Sequence, residues 1–331
     1  MTERLTAISL FSGCGGFDWG AKLAGVEVIW ANDIDPNAAS AYRSIFPDVE
    51  FVLDDIQNIS TFPKADILIG CFPCTGYSLA ARRRWHNNAE RDLQSDVTNF
   101  LYWQFMRALD QIRPRFAFIE NVGGMITADN GFFLEQQRFH FRRLRYDASY
   151  ARLRASDFGA AQTRERVFIV LSSYDMRPYI YEFPKPTHGA KGMLPIRTLR
   201  DVISGMPDWP QGEYCDIPFH GHYLTRNRKR RWDQPSYTIV AHAHHVPLHP
   251  MGNSMVFVEK DRWALRGSRN RRLSWRECVE IQGLPSRVCP TGSLEQKYRV
   301  IGNAVPPVFG EALIVPLVQQ NPSPKVYKYY L

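Results

Sequence analysis

From Leu5 to Leu171, short apolar runs rich in β-branched residues alternate with stretches of helical period, and most runs end in a polar or glycine-bearing turn. That rhythm predicts an α/β fold built on a parallel sheet, because strands covered on both faces read as continuous apolar runs. The predicted strands are Leu5 to Leu10, Glu27 to Ala31, Val49 to Leu53, Ala65 to Ile69, Phe116 to Ile119, Tyr150 to Ala155 and Val167 to Leu171. Predicted helices run through Leu23, from near Pro36 to Phe46, from Val97 to Ile112 and from Phe132 to Arg145. Asp35 before Pro36 reads as a helix N-cap. From about Ser172 the rhythm is lost, and prolines, glycines and short aromatic strands dominate to around Gly292. A second domain is expected there. Ser274 to Ile281 reads as a helix with a Ser274/Glu277 capping box and Gly283 past its end, and an apolar helix follows Pro307.

Polar groups collect at the strand ends. Phe11-Ser12-Gly13-Cys14-Gly15-Gly16-Phe17 is a glycine-rich turn between a strand and a helix, where free amides and close backbone approach suit a polar cofactor group. Its glycine spacing differs from the dinucleotide fingerprint. Asp33 follows the second strand at the distance that separates a nucleoside-binding loop from its ribose carboxylate, and Asp54-Asp55-Ile56 ends the third. Glu120 ends the strand Phe116 to Ile119, where a buried carboxylate is either desolvated for catalysis or paired. Arg164 and Arg166, two apart in an extended segment, point to one side, toward a phosphate or base edge.

Gly70-Cys71-Phe72-Pro73-Cys74 places a cysteine on a constrained turn at the end of a buried strand. Cys74 has three readings: a small buried hydrophobe, half of a C-x-x-C redox or zinc pair with Cys71, or a thiolate nucleophile with partners elsewhere in the chain. No second ligand pair lies nearby for zinc. His242, His244, His245 and His249 also lack a cysteine or carboxylate at ligand spacing, so no metal is expected.

Composition adds a partner. The 331 residues carry 41 Lys and Arg against 33 Asp and Glu, a formal charge of +8. This suggests a polyanion, and the excess clusters in Arg82-Arg83-Arg84, Arg226 to Arg231 and Arg266 to Arg272. The segment Ser78 to Asp96 reads as a mobile basic loop that closes on nucleic acid. Six cysteines without regular spacing make no disulfide framework, and no apolar stretch of signal-peptide or membrane-spanning length stands out. A cytoplasmic protein with reduced thiols is expected.

Seven motifs, taken in chain order, resemble those of the DNA (cytosine-5)-methyltransferases. They are Phe11-Ser12-Gly13-x-Gly15-Gly16-Phe17, Phe72-Pro73-Cys74, Glu120-Asn121-Val122, Gln162-Thr163-Arg164-Glu165-Arg166-Val167, Arg272-Leu273-Ser274-x-Arg276-Glu277-Cys278, Gln282-Gly283-Leu284-Pro285 and Gly302-Asn303-Ala304-Val305-Pro306. The family usually has Gly where Cys71 stands and Gln where Thr75 stands; neither departure removes a reacting group.

The resemblance implies a doubly wound, Rossmann-like catalytic domain over residues 1–178 and 297–331, with a smaller, mostly β or irregular target-recognition domain over 179–296. It implies S-adenosylmethionine as cofactor, S-adenosylhomocysteine as product and no metal. Ser12, Gly13, Gly15 and Gly16 would hold the cofactor, Asp33 its ribose and Asp55 its adenine. Phe11, Ile34, Ile56 and Pro73 would pack around the nucleoside, and Asn303 and Val305 would close the pocket. Cys74 would add to carbon 6 of a flipped cytosine, Glu120 would hold ring N3 and the exocyclic amine, and Arg166 with Arg164 would engage the O2 side. Ser78, Arg82, Arg83, Arg84, Arg228, Arg230, Arg231, Tyr237, Thr238 and Arg271 would touch double-stranded DNA. The family further implies a monomer acting in the bacterial cytoplasm, and a restriction endonuclease sharing the same site without contacting it. An RNA cytosine methyltransferase and an inactive DNA-binding module are the competing readings.

Overall fold

The computed structural model describes residues 4–73, 101–126, 131–320 and 322, with the side chain of residue 133 left aside. Cys74, Thr75, Ser78, Arg82, Arg83 and Arg84 therefore lie outside the described residues.

The strands are β1 (Thr6–Leu10), β2 (Glu27–Asp33), β3 (Glu50–Leu53), β4 (Ile67–Gly70), β5 (Phe116–Asn121), β6 (Tyr146–Arg154) and β7 (Glu165–Ser173). They form one sheet in the order β3-β2-β1-β4-β5-β7-β6. The pairs from β3 to β5 are parallel, whereas β7 runs antiparallel to both β5 and β6. Parallel neighbours need a crossover, and α1 (Gly16–Leu23), α2 (Pro36–Ile45) and α3 (Tyr102–Ile112) lie in the connections, with α4 (Phe132–Arg143) leading into β6. Burial follows from composition: every residue of β4, Ile-Leu-Ile-Gly, is buried. The sheet β6 begins at Tyr146, earlier than the apolar pattern suggested, because Asp147, Ser149 and Tyr150 pair with β7 along its whole length while remaining partly solvated.

Because β1 lies between β2 and β4, the strand order reverses there. Open α/β sheets bind ligands in the crevice at the carboxyl ends of the strands flanking such a reversal, here β1 and β4. Phe11-Ser12-Gly13 leaves one side of it and Cys71-Phe72-Pro73 the other.

The remaining described chain holds α5 (Leu199–Ile203), a hairpin of β8 (Val256–Glu259) and β9 (Arg262–Ala264), α6 (Trp275–Gln282), α7 (Leu294–Asn303) and α8 (Pro307–Gln320). The α6 capping box is present as expected, with the Ser274 hydroxyl accepting from Glu277 N. Asp35 caps α2 by accepting from Asn37 N. The second segment keeps a small cluster of its own, Tyr223, Leu248 and Met255. Most of its apolar residues, among them Leu199, Ile239, Trp275 and Tyr298, instead share one core with Ala38, Tyr42 and Ile45 of α2. The expected boundary at 296/297 falls inside α7. The run Leu294–Gln320 is apolar and long enough to cross a membrane, but two-thirds of its most apolar window (67%) is buried in the core.

Candidate active site

The glycine turn owes its form to backbone contact. Phe11 and Gly13 have φ of 55° and 56°, and Gly15, at 80°, is the N-cap of α1. A Cβ on Gly16 would lie 2.1 Å from the Val305 carbonyl oxygen, and one on Gly20 the same distance from that of Pro307. Only glycine lets α1 sit this close to the turn before α8. Above Gly13, by contrast, nothing lies within 4 Å of a Cβ position, so that side faces open room.

Asp33 closes the turn. Its carboxylate accepts from Gly13 N at 2.8 Å and from Asp35 N at 2.9 Å, and burial pushes its pKa up despite those bonds. Next to it, Ile34 is 64% exposed, an apolar side chain held at the crevice with nothing over it. Phe11 is half-buried and Pro73 exposed. Asn32 donates to the carbonyls of Val52 and Asp54 and fastens the end of β3 to β2. Asp55 then caps a short turn by accepting from Gln57 N. Ile56 is buried, its side chain packing into the core with Trp30 and Leu68. Asn303 is exposed at the end of α7, and Val305 is buried against Gly16.

On the other side of the crevice stands Glu120. Its Oε1 lies 2.8 Å from Arg166 Nε, both side chains being mostly buried. The contact is an ion pair without hydrogen-bond alignment, since Glu120 Oε1 has no aligned donor. A carboxylate held by charge but not saturated by donors keeps lone pairs for a ligand. Cys71 is half-buried nearby, and burial first, then the charges of Glu120, Asp18 and Asp33, push its thiol well above the ordinary value. A thiol so placed favours its protonated form. Among the described residues no group of three His, Cys, Asp or Glu is placed to hold a metal.

Arg164 does not join Glu120. It is buried, and its Nη1 donates to the carbonyls of Ile239 and Gly302, tying the start of β7 to the second segment and to α7. These bonds hold the Arg164 guanidinium against two carbonyls at the start of β7. Two expected DNA contacts are likewise turned inward. Arg271 is 2% exposed and forms two bonds to Glu277, at 2.7 and 2.8 Å. Arg228 is 5% exposed and donates to the carbonyls of Tyr223 and His245. Neither presents its guanidinium to a duplex. Arg230 stacks over the Tyr237 ring at 4.0 Å, Arg231 is exposed beside Asp233, and Thr238 is half-buried.

The basic runs thus serve two purposes that composition does not separate. Lys229 Nζ donates to the carbonyls of Met251 and Asn253 and to Asn270 Oδ1. Arg272, 1% exposed, donates to the carbonyls of His244, Cys215 and Ile217. In a segment with little sheet, buried cation heads satisfy carbonyls that a strand ladder would otherwise take. Asp18 was also unforeseen. It is 1% exposed, accepts from the Ser9 and Tyr42 hydroxyls, and burial pushes its pKa up to about 6.

Comparison with known proteins gives this arrangement its family. The model of the C-5 cytosine-specific DNA methylases matches residues 5–318. The type II methyltransferase M.BsuRI of Bacillus subtilis is 35% identical over 96% of this chain and 80% of its own length. M.FnuDI of Fusobacterium nucleatum is 33% identical over 90% of each. Among solved structures, a putative DNA modification methyltransferase encoded within an E. coli prophage superposes with a TM-score of 0.70 at 20% identity, covering 96% of this chain and 99% of that one. Dnmt2 of S. pombe superposes at 0.66 and 16%, covering 96% and 99%. This chain therefore belongs to the C-5 cytosine-specific DNA methylase family and is a DNA cytosine-5 methyltransferase.

Proposed function

We propose that the protein transfers a methyl group from S-adenosylmethionine to carbon 5 of a cytosine flipped out of a specific short duplex sequence, through a covalent Cys74 adduct at carbon 6. The observation that carries this reading is Glu120 beside Arg166, ion-paired yet not saturated, at the edge of the crevice that Asp33 closes. The crevice suits the cofactor: Asp33 offers a carboxylate to ribose hydroxyls, the open side of Gly13 leaves room, and Phe11, Ile34 and Pro73 offer apolar faces to an adenine whose amine Asp55 can accept. Asn303 and Val305 border it. When bound, the cofactor supplies a methyl group made electrophilic by its sulfonium.

Cytosine carbon 5 is too weak a nucleophile to take that methyl unaided. The Cys74 thiolate adds to carbon 6, and the new enamine makes carbon 5 nucleophilic; after transfer, a base removes the carbon 5 proton and the thiolate leaves. Glu120 accepts from the exocyclic amine and holds N3 in the protonated form that the adduct requires. Arg166, on the O2 side, supplies positive charge where negative charge develops. A stacked base is out of reach of these groups, so flipping is part of the reaction. The relatives' type II naming supports a further reading, that the chain protects a site cut by a companion restriction endonuclease, with the enzyme monomeric and in the bacterial cytoplasm.

Duplex DNA containing 5-fluorocytosine, mixed with labelled S-adenosylmethionine, tests the chemistry, because fluorine blocks the final proton removal. A labelled protein–DNA band on a denaturing gel is expected for the wild type and absent for Cys74→Ala. If binding persists but no band forms on DNA or on RNA, the methyl-transfer reading is wrong.

A further inference from the structure

Five imidazoles form one patch on the second segment. His245 is central, with ring centroids 5.9 Å from His220, 5.6 Å from His222 and 5.1 Å from His242, and His244 lies 5.1 Å from His242. His220, His222 and His242 are exposed. Nothing in the methyl-transfer chemistry uses them.

The backbone beneath is locked. The carbonyl of His245 accepts from buried Arg228, that of His244 from buried Arg272, and Ala243 N donates to Glu295. With their main chain held from behind, the rings are set in place before any ligand arrives, which lowers the ordering cost of binding. Arg228 lies behind His245, the other histidines face it, and Glu295 lies 3.2 Å from His242 Nδ1 at one edge. Burial first, then Arg228 and the other histidines, hold His245 down at about 4. Its Nδ1 is buried and has no hydrogen-bond partner in this structure.

An uncharged imidazole is a short-reach donor and acceptor, suited to base edges and poorly suited to phosphates. A chain of contacts links the patch to Glu120: Ile239 shares Arg164 Nη1 with Gly302, and Arg164 is two residues from the Arg166 that pairs with Glu120. His244 is five residues beyond Ile239, about 18 Å at most along an extended chain.

We propose that His220, His222, His242, His244 and His245 form a base-reading surface for the pairs flanking the flipped cytosine. This rests on the reading of specific duplex DNA as substrate. The test first defines the methylated sequence by incubating the wild type with random-sequence duplexes and sequencing the product. H244A/H245A and, separately, H220A/H222A are then compared with the wild type by kcat/KM, site preference and salt dependence of binding. The expected result is a fall in kcat/KM on the wild-type site of about tenfold or more, with methylation spreading to sequences that differ at a flanking pair. Thermal melting, cofactor affinity and the salt slope should stay as in the wild type. If removing His245 unfolds the chain, the H220A/H222A arm, on exposed rings, carries the same test. Unchanged preference with kcat/KM within about twofold would overturn the proposal. So would an equal loss on all sequences with a salt slope lower by about one, the mark of phosphate contact. Failure of the wild type to methylate any duplex would strike the substrate reading itself, and this inference with it.

Discussion

Asp18 offers a quantitative check on how the sheet edge is built, because its carboxylate is the most deeply buried acid beside the glycine turn. Burial moves it from its ordinary 3.8 up to about 6, against the opposing pull of the Ser9 and Tyr42 hydroxyls. A folded-state pKa above the unfolded one contributes stability fully present below pH 3.8 and lost as the pH rises through about 6. At 1.36 kcal/mol for each pKa unit, the interval corresponds to about 3 kcal/mol. Asp18→Asn removes the charge but reverses one hydrogen bond to a hydroxyl, at a cost of about 1 kcal/mol. The variant should therefore be about 2 kcal/mol more stable than the wild type at pH 7.5, and about 0.5 kcal/mol less stable at pH 4. His245 and His249, held by burial at about 4 and about 3, act in the opposite sense: their contribution is lost as the pH falls below 6.5. The difference between wild type and variant cancels them. Urea unfolding at intervals from pH 4 to pH 8 reads that difference directly. A difference that does not change with pH would refute the burial account of Asp18.

Two further predictions concern packing. Glu277→Gln strands the Arg271 guanidinium, 2% exposed, without its counter-charge and should destabilise by about 3–5 kcal/mol in urea unfolding; a loss below about 1 kcal/mol would show that Arg271 finds other partners. Gly16→Ala places a Cβ 2.1 Å from the Val305 carbonyl oxygen, so α1 must separate from the turn before α8. Cofactor binding measured by calorimetry should weaken by at least about tenfold, and full affinity would mean that the turn tolerates the shift.

Much of the catalytic edge was legible in the chain because its signals are local. A parallel strand must be apolar on both faces, so β1, β2, β4 and β5 announce themselves, and the residues that end or follow each of them fall at the carboxyl edge by construction. Asp33, Glu120 and the glycine turn were located that way, and Asp35 and Ser274 were readable as caps because a cap depends only on a few neighbouring residues. Arg164 was harder. Spacing placed it on the side of Arg166, but only the approach of Ile239 and Gly302, distant in sequence, decided that its guanidinium would bind carbonyls.

The sequence alone determined the α/β class, the order of motifs, the acids at the strand ends and the net positive charge, since each follows from residue type and short spacing. The tertiary structure decided which charges face solvent. Arg228, Lys229, Arg271 and Arg272 sit in runs that composition reads as a solvated, DNA-facing surface, yet their heads are buried against carbonyls and Glu277. The same packing set the histidines outward on a locked backbone. Burial is a property of what lies on the far side of a residue, and in a segment with little regular structure no periodicity in the chain encodes it.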